Sequence, residues 1–472
     1  MSVGNYNDIR ELEHIYLRLT KDIYYGSNPG ATSADTMLAM NLKLLSLLTL
    51  LLSLFLYTAQ SHGQARAYRS SGFDPNEPPE TKYRIAPYLT FGSQIELEYK
   101  LGRNLDLDGS EDEDLSTIEP ALIGAFSFDP SEHFQIFASV KFGGEFILED
   151  GNSVDNRTVL ELEQGYVFFK DYFEERFSFQ IGRQQFDDER QWLYDAELDG
   201  ARAYIGHEGF YTEHEGFIAQ LSISRGGFVN RDFLNKEAGD KTNNYIAYLS
   251  YFFNEDTTAA AYFLWRDDTT GENNSPIFLG FHSDGEATDS IDYWLELAYV
   301  FGEEGTNNIS GLGIDLGITY AFDLMPEPSF TLGYAFASEE FRQTGLQSNE
   351  SDFNGVVDFL YYGELFEPNL SNMSIFTGAL GLNPTEETSI DLVYHYYIQT
   401  KASDEIRDSA IEAEPDGINK SLGSEIDLVL GYEQKEEKIA VALTFGYFIP
   451  GSAFPSDAIN AFSTKLLFAY EF

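Results

Sequence analysis

The feature that most restricts how this chain can fold is a strict alternation of apolar and polar residues. From residue 89 to residue 101, the residues of one parity are polar or glycine, and those of the other parity are apolar apart from Ser93. The apolar set is Leu89, Phe91, Ile95, Leu97, Tyr99 and Leu101. Alternation with a period of two predicts a β-strand with one apolar and one polar face. A run of about 13 residues exceeds a typical soluble strand and suits a tilted strand that crosses a membrane.

Segments of the same kind recur to the end of the chain, separated in turn by short turns and long acidic loops. The apolar faces include Phe134–Leu148, Leu160–Phe168, Ile291–Phe301, Leu312–Phe322, Ile390–Ile398 and Ile439–Tyr447, and the long loops are 106–116, 267–290, 338–354 and 401–421. About 18 segments fit between Ile85 and Phe472 at the spacing of an outer-membrane barrel. The sequence therefore predicts an all-β, antiparallel transmembrane β-barrel with a polar lumen, long extracellular loops and short periplasmic turns.

The last segment carries the most specific local signal for a barrel. Five large apolar residues share one face of it, namely Phe462, Leu466, Phe468, Tyr470 and Phe472. A final strand that alternates aromatic residues and stops on Phe resembles the closing strand of bacterial outer-membrane proteins. A barrel must pair its last strand with its first, because an open edge in lipid leaves backbone groups unsatisfied.

Composition and charge argue against several other classes of protein. The chain has 29 basic and 78 acidic residues and a formal net charge of −49. Such a charge repels the phosphate backbone and argues against binding to nucleic acid. Its 39 Phe and 30 Tyr residues argue against intrinsic disorder. The absence of cysteine excludes thiolate metal sites, catalytic thiols and disulfides. A mean hydropathy of −0.28 argues against a bundle of membrane-spanning helices.

An apolar run near the start of the chain is typical of a targeting segment. It covers residues 42–57, and Gly63-Gln64-Ala65 follows it with the small residues that a signal peptidase needs. Its uninterrupted part is about 14 residues long, which is less than the roughly 20 that span a bilayer. We therefore predict four parts of the chain: an upstream extension ahead of the natural start (1–36), a signal peptide (37–65), a short N-terminal segment (66–82) and the barrel (83–472).

One stretch replaces the alternation with a dense set of arginines, carboxylates and aromatic residues. It reads RQQFDDERQWLYDAELDGAR from Arg183 to Arg202, between two predicted strands. We expect it to form the third external loop, between the fifth and sixth strands. The pattern closely resembles that of the alginate-export family of outer-membrane porins, and weaker similarity covers residues 341–347 and 367–396. The resemblance implies a monomeric barrel of 18 strands that conducts an anionic uronate polysaccharide past an arginine-rich constriction.

The resemblance also implies roles for individual residues. The basic positions of the motif are Arg183, Arg190 and Arg202, and the acidic positions are Asp187, Asp188, Glu189 and Asp199. A guanidinium group meets the carboxylate of a uronate with paired hydrogen bonds, and neighbouring carboxylates keep that binding weak enough for release. Alternatively, the same residues form a salt-bridge network that only fixes the loop. We expect Arg190 to contact solute and Arg183 to belong to the end of a strand.

Three further basic residues lie on the polar faces of predicted strands. Lys100, Lys141 and Arg157 each alternate with apolar neighbours, so their side chains are expected to point into the lumen and to bind solute there.

The strong negative charge favours a second function, a general diffusion or cation-preferring porin. Because dissolved salt screens charges over about 8 Å, carboxylates in distant loops have little electrostatic effect at a constriction. Acidic runs in external loops, Glu111–Asp114 and Asp267-Asp268, could bind Ca²⁺, although a solvated surface is the more common role of such runs and no EF-hand spacing occurs. We otherwise expect no cofactor.

Motifs of enzymes are missing from the sequence, and we predict a protein without catalytic activity. No glycine-rich phosphate loop, zinc-protease motif or nucleophile elbow occurs. A distant alternative is an outer-membrane lipase with His395 as its base. The expected partners are an anionic polysaccharide or its oligosaccharides, the lipid of a Gram-negative outer membrane, and periplasmic proteins of export or uptake; the direction of transport stays open.

Overall fold

The computed structural model describes residues 77–109, 114–150, 156–188, 190–206, 216–235, 241–253, 257–271 and 274–472. The predicted upstream extension and signal peptide lie outside these residues, as do Glu189 and three of the four acidic residues of the run at 111–114. No helix in the described part of the chain is long and apolar enough to cross a membrane.

Antiparallel strands account for nearly all regular structure in these residues. The strands are β1 (Tyr83–Ala86), β2 (Leu89–Arg103), β3 (Leu115–Ser131), β4 (Phe134–Asp150), β5 (Arg157–Asp171), β6 (Phe177–Asp187), β7 (Asp195–Gly206), β8 (Gly216–Arg225), β9 (Thr242–Phe252), β10 (Thr257–Asp268), β11 (Ser275–Thr288), β12 (Ile291–Glu304), β13 (Asn307–Ala321), β14 (Ser329–Ala337), β15 (Glu350–Ser351), β16 (Phe359–Leu360), β17 (Met373–Thr385), β18 (Thr388–Gln399), β19 (Ser421–Gln434), β20 (Ile439–Pro450) and β21 (Ala461–Glu471). One short helix, α1 (Tyr172–Glu175), joins β5 to β6.

The barrel is closed by its first and last long strands. Each strand from β2 to β21 pairs with the next in sequence, except that β15 and β16 form a separate pair, and β21 returns to β2. The result is a closed antiparallel barrel of 18 strands, so the predicted fold is confirmed. The closing register joins Leu97 to Phe468, and Phe472 exchanges two backbone hydrogen bonds with Ser93, at 2.9 and 3.4 Å.

The two rims of the barrel differ in the length of their connections. The longest connections, 226–241, 338–372 and 400–420, share one rim with the β2–β3 and β20–β21 loops. Two-residue turns such as 289–290 and 386–387 lie at the other rim, beside the short strand β1 that folds back on β2. This is the asymmetry of outer-membrane barrels, whose long loops are extracellular. At the opposite, periplasmic rim, Glu471 pairs with Lys82 at 3.5 Å and with Lys438 at 2.9 Å.

Three sequence predictions on local structure are wrong in detail. The proposed loop 267–290 contains the whole of β11, which crosses the wall and pairs with β10 and β12. The proposed loop 183–202 is mostly strand, because β6 continues to Asp187 and β7 begins at Asp195. A one-residue bulge in β5 opposite Ser139 and Val140 reverses the faces of that strand, so the Leu160–Phe168 set does not share one side.

The outer surface of the wall is apolar, as a bilayer requires. Large side chains at alternating positions are exposed on almost every strand, among them Leu122, Phe142, Ile181, Leu221 and Phe330. Their neighbours in sequence point inward and carry most of the polar groups. A band of exposed apolar side chains on a closed sheet is the surface that lipid covers.

Candidate functional site

The wall of the barrel divides between β5 and β6. These strands pair only from Phe169 and Phe179 up to Gly165 and Arg183, whereas β6 and β7 stay paired as far as Asp187 and Asp195. Gly182 lies at the division with φ of +132°, and a Cβ atom there would come within 2.2 Å of the Gly165 carbonyl oxygen. Above this point, residues 184–198, which we call the inner hairpin, leave the wall.

The inner hairpin enters the lumen with its apolar face against the opposite wall. Phe186, Trp192 and Leu198 are buried in one apolar cluster with residues of β9 to β14, such as Leu264 and Val300. These wall residues are themselves buried although they lie on the inner side of the sheet. The hairpin therefore packs across the barrel instead of lining it.

A single carboxylate organises the tip of the inner hairpin. Asp188 accepts backbone hydrogen bonds from Trp192 and Leu193, both at 2.8 Å, and from Tyr194 at 3.0 Å. Burial raises the pKa of Asp188, against the opposing effect of these backbone donors. Its role in the structure is to satisfy the amides of a tight turn within an apolar environment.

The long connection 338–372, which we call the plug loop, packs on the inner hairpin. The indole nitrogen of Trp192 donates to the hydroxyl of Tyr362 at 2.8 Å, and its ring stacks on Phe341 with centroids 6.0 Å apart. The Tyr361 hydroxyl donates to the backbone oxygen of Arg190 at 3.1 Å. The inner hairpin and the plug loop therefore form one body, which we call the plug.

The plug is bound to one side of the barrel. Glu425 on β19 accepts backbone hydrogen bonds from Leu365 at 2.7 Å and from Phe366 at 2.9 Å. Glu364 accepts a hydrogen bond from Thr444 on β20 at 3.1 Å. Inner-face polar residues on this side are enclosed, with Glu425 0% and Glu296 2% exposed.

The buried position of Arg190 differs from the one expected of a residue that contacts solute. Its guanidinium carbon lies 4.6 Å from the ring centroid of Trp294 and 4.5 Å from that of Tyr361. Asp315 is 3.8 Å away, and the whole residue is 6% exposed. Cation–π contacts and an ion pair therefore hold Arg190 inside the plug. Its proposed contact with solute stays a prediction, and it requires the plug to move.

Arg183 and Asp199 face each other across β6 and β7. Arg183 donates to both carboxylate oxygens of Asp199, at 2.8 and 3.1 Å, and also to the backbone oxygens of Leu162 and Val229. Paired hydrogen bonds of this kind are strong and fix geometry. This arrangement fits the expectation that Arg183 belongs to the strand structure.

The remaining residues of the motif occupy different positions. Arg202 is buried, stacks on Phe186 at 4.1 Å and donates to the backbone oxygen of Gln185 at 2.6 Å. Asp187 lies opposite Asp195 at the end of the β6–β7 pairing. Asp188 therefore belongs to the plug, and Arg202 contacts the plug from β7. Glu189 lies outside the described residues.

On the opposite side of the lumen some inner-face residues, such as Gln94 and Ser139, are enclosed as well, but the three strand residues predicted to face the lumen keep partly exposed side chains. We call the inner faces of β21, β2, β3, β4 and β5 the open wall. The side chains of Lys100, Lys141 and Arg157 are 45%, 31% and 40% exposed. Lys465 on β21 and Arg231 in the connection 226–241 join them and were not among the predicted site residues. The alternation of the last strand already placed Lys465 on its polar face.

Each basic side chain of the open wall is paired with a carboxylate. Lys100 and Lys465 both contact Glu98, at 3.1 and 3.5 Å, and Lys141 lies 3.4 Å from Glu96. Arg157 lies 3.2 Å from Asp232, and Arg231 contacts Glu161 and Glu197 at 3.3 and 3.2 Å. The open wall is therefore a surface of mixed charge with exposed cations.

The plug loop adds carboxylates that face the open wall. Lys465 interacts electrostatically with Glu350, Glu364 and Glu367 of that loop as well as with Glu98. Burial raises the pKa of Glu350, and the nearby Lys465 opposes that effect. A solute that moves along the open wall therefore passes between basic groups of the sheet and acidic groups of the loop.

The second half of the plug loop was not foreseen, although the sequence holds a signal for it. Residues 359–366 read FLYYGELF, an aromatic run in the middle of a long external connection. Solvated loops rarely carry such a run, so it indicates a segment that is buried elsewhere. The predicted loop ended at residue 354 and therefore missed this run.

His395, the residue of the lipase alternative, is buried in the wall. Its Nδ1 atom lies 3.0 Å from the hydroxyl of Thr377, its Nε2 atom lies 3.4 Å from Asp427, and its exposure is 0%. This environment favours a packing role.

The Ca²⁺ prediction stays untested. Asp114 forms an ion pair with Arg103 at 2.5 Å, and the Asp268 side chain accepts hydrogen bonds from Thr270. Within the described residues, no group of three or more His, Asp or Glu side chains is arranged to hold a metal ion.

Comparison with known proteins gives a family match over most of the barrel. A family model described as "Alginate export" matches residues 88–464. The alginate production protein AlgE of Pseudomonas aeruginosa is 27% identical over 183 residues, which are 32% of this chain and 37% of that protein. The AlgE protein of Azotobacter vinelandii is 27% identical over 180 residues, 32% and 36% of the two chains. The chain thus matches little more than a third of the length of these relatives.

Solved structures share the fold. The crystal structure of OccK11 (OpdR) from Pseudomonas aeruginosa has a TM-score of 0.52 at 13% identity, covering 85% of this chain and 99% of its own. OpdK of the same organism, crystallised with vanillate, has a TM-score of 0.53 at 10% identity and covers 81% and 98%. Likenesses at this level of identity concern the barrel architecture alone.

Proposed function

Because this chain belongs to the alginate export family, we propose that it is a channel through which an anionic polysaccharide such as alginate, or its oligosaccharides, diffuses passively. The protein is an outer-membrane barrel of a Gram-negative bacterium. The proposed pathway follows the open wall past the plug, and the channel performs no chemistry on its solute.

The observation that carries this proposal is the exposed row of basic side chains opposite the plug. A uronate polymer bears one carboxylate per sugar, and the row offers Lys100 and Lys465 from the paired strands β2 and β21 and Lys141 from β4. Each ammonium group is already held near a glutamate, which lowers its affinity for a passing carboxylate. Weak binding at several successive sites is what conduction requires.

In this proposal the buried arginines have a different role from the row of lysines. Arg183, Arg190 and Arg202 maintain the plug, which narrows the lumen, whereas Lys100, Lys141, Arg157, Lys465 and Arg231 contact the solute. The constriction contains arginines, but the surface that a polyanion touches is mainly formed by the open wall.

The first prediction concerns ion selectivity. We expect the wild-type channel in a planar bilayer to prefer anions in a KCl gradient. The triple variant K100Q/K141Q/K465Q should lose that preference, because its open wall keeps the glutamates and loses three cations. The reversal potential measures the change.

A matched control separates lumen charge from total charge. Lys401 lies in an external loop, where its side chain is 63% exposed and paired with Glu339. The variant K401Q should keep the wild-type reversal potential. Loss of anion preference in this control as well would place the selectivity outside the open wall.

A general diffusion or cation-preferring porin is the second candidate, and the pairing of every wall cation with a carboxylate favours it. In that case the wild-type channel prefers cations or neither ion, and the triple variant changes the reversal potential towards stronger cation preference. Blocking of the ion current by added oligo-uronates at micromolar to millimolar concentration would support the first candidate against this one.

The second prediction concerns pH. A raised pKa means that Glu350 takes up its proton at a higher pH than an ordinary glutamate, and burial raises the pKa of Glu367 in the same loop to about 7. Acidification therefore removes negative charge beside Lys465 at both residues. Anion preference should therefore increase as the pH falls from 8 towards about 5. The variant E350Q should have high anion preference already at pH 8 and a weaker pH response. An anion preference that decreases on acidification would contradict the assignment.

A further inference from the structure

A segment of the β8–β9 connection fills the opening that the inner hairpin leaves in the wall. We call residues 226–235 the wedge. Leu162 donates a backbone hydrogen bond to Arg231 at 3.0 Å, and Phe233 donates one to Leu160 at 2.8 Å. These bonds flank an antiparallel bridge between Glu161 and Asp232. The upper half of β5 therefore pairs with the wedge in place of β6.

Asp232 is the anchor of the wedge. Its carboxylate accepts hydrogen bonds from the backbone of Leu160 at 3.3 Å and of Leu234 at 2.8 Å, and from the side chains of Arg157 and Asn235. The residue is fully buried. Removing the carboxylate would leave several donors without an acceptor, which is costly at a buried site.

The wedge also covers the outer face of the β6–β7 hairpin. Residues of one parity in β6 and β7 point outward, as the exposed Ile181 and Ile205 demonstrate. Arg183 and Asp199 have that same parity, yet both are buried. Val229 of the wedge closes this pair, because its amide donates to Asp199 at 2.8 Å and its carbonyl oxygen accepts from Arg183 at 3.1 Å.

The outward surface of the wedge is apolar. Phe228, Val229, Phe233 and Leu234 are 70%, 47%, 55% and 57% exposed. They continue the apolar surface of β8, where Leu221 and Ile223 are exposed. The wedge thus has an apolar outer surface. Its inner surface is polar and contacts the Arg183–Asp199 ion pair.

We propose that Arg183, Asp199 and Asp232 are positioning residues, which fix through the wedge how far the inner hairpin projects into the lumen. The inner hairpin does not pair with β5. The wedge pairs with β5 in its place and holds the hairpin through hydrogen bonds to Arg183 and Asp199. Pore width is then set from outside the lumen, by residues that no solute touches. The proposal rests on the protein being a channel, but it does not require anion selectivity.

An engineered disulfide tests the proposal, and the lack of native cysteine makes the experiment clean. Glu161 and Asp232 form an antiparallel pair without mutual hydrogen bonds, for which a Cα separation of about 4.5 Å is typical and a disulfide is geometrically allowed. In the reduced E161C/D232C variant the anchor is lost. We expect its single-channel conductance in symmetrical KCl to be at least about two-fold higher than wild type, with added current fluctuations, because a displaced hairpin widens the pore.

Oxidation of the same protein should restore the wild-type conductance, since the cross-link replaces the lost anchor. The single variant E161C is the matched control. It loses one open-wall carboxylate but keeps the Asp232 anchor, so its conductance should be the same in both redox states and lower than that of the reduced double variant. Equal conductance of the reduced, oxidised and wild-type channels would overturn the proposal.

A second variant approaches the hairpin from its other side. R183Q removes the paired hydrogen bonds to Asp199 from a residue that is 4% exposed and on the outer face. We expect raised conductance and no change in reversal potential, because no lumen charge changes. A variant channel that inserts, migrates as a folded barrel in unheated gels and conducts like the wild type would contradict the proposal. A wild-type channel without anion preference would contradict the proposed function and would leave this inference unaffected.

Discussion

Replacement of residues 343–370 by a two-residue Asn-Gly turn is expected to raise the single-channel conductance several-fold. Arg342 and Ser371 form an antiparallel bridge, so a tight turn can connect them without disturbing β14 or β17. The deleted residues supply half of the plug, and the lumen of an 18-stranded barrel is wide enough to hold an aqueous channel once it is cleared. Planar-bilayer recordings in KCl measure the change.

The same variant should lose most of its discrimination among solutes, because a wide water-filled pore keeps passing ions far from the charged wall. The variant K401Q changes an exposed side chain at the same rim and serves as the control. It should keep the conductance close to wild type. Unchanged conductance after removal of residues 343–370 would mean that the plug loop does not restrict the pathway.

The second large effect is expected from Trp192→Ala. This indole is fully buried, donates to Tyr362 and stacks on Phe341, so it joins the two halves of the plug. Its removal leaves a large cavity and takes one donor from the Tyr362 hydroxyl, which keeps its own hydrogen bond to Asp315 at 3.1 Å. A loss of about 3–5 kcal/mol is typical for such a cavity. We expect the plug to open locally while the barrel stays intact.

Hydrogen exchange measures that opening directly. Amides of residues 190–194 and 359–366 should exchange about a hundred-fold faster or more in the variant, since each 1.4 kcal/mol corresponds to a factor of ten in the opening equilibrium. Trp265→Ala is the matched control, because Trp265 stacks on Tyr245 on the outer face of the wall. Slow exchange of both plug segments in the Trp192 variant would show that this side chain does not hold them together.

The barrel was predictable because its determinants are local. A strand in this wall meets lipid on one side and water or the plug on the other, so a period of two is imposed residue by residue. The closing strand adds the terminal aromatic residues that face lipid. Both signals can be read from the sequence without knowing which strands pair.

Apart from the aromatic run at 359–366, the plug leaves no local signal, because its determinants are contacts between distant segments. For example, the local sequence around Asp188 would be the same whether its carboxylate bound backbone amides or a solute. Likewise, nothing local distinguishes the buried Arg190 from a solute-facing arginine, since its partners Trp294, Asp315 and Tyr361 come from three other segments.

The predicted faces of β5 were wrong for a second reason. The bulge in β5 adds one residue opposite Ser139 and Val140, and a shift of one residue exchanges inside and outside for the rest of the strand. Bulges leave little trace in an alternating sequence. The wedge escaped notice in the same way, because its pairing with β5 is irregular and short.

The pairing of β2 with β21 determines whether the barrel is complete. The two strands are far apart in sequence, and Phe472 and Ser93 hold their ends in register. Without residues 461–471, both β2 and β20 would present unpaired backbone groups to the bilayer along their whole length. Integrity of the whole cylinder in lipid therefore depends on this single seam.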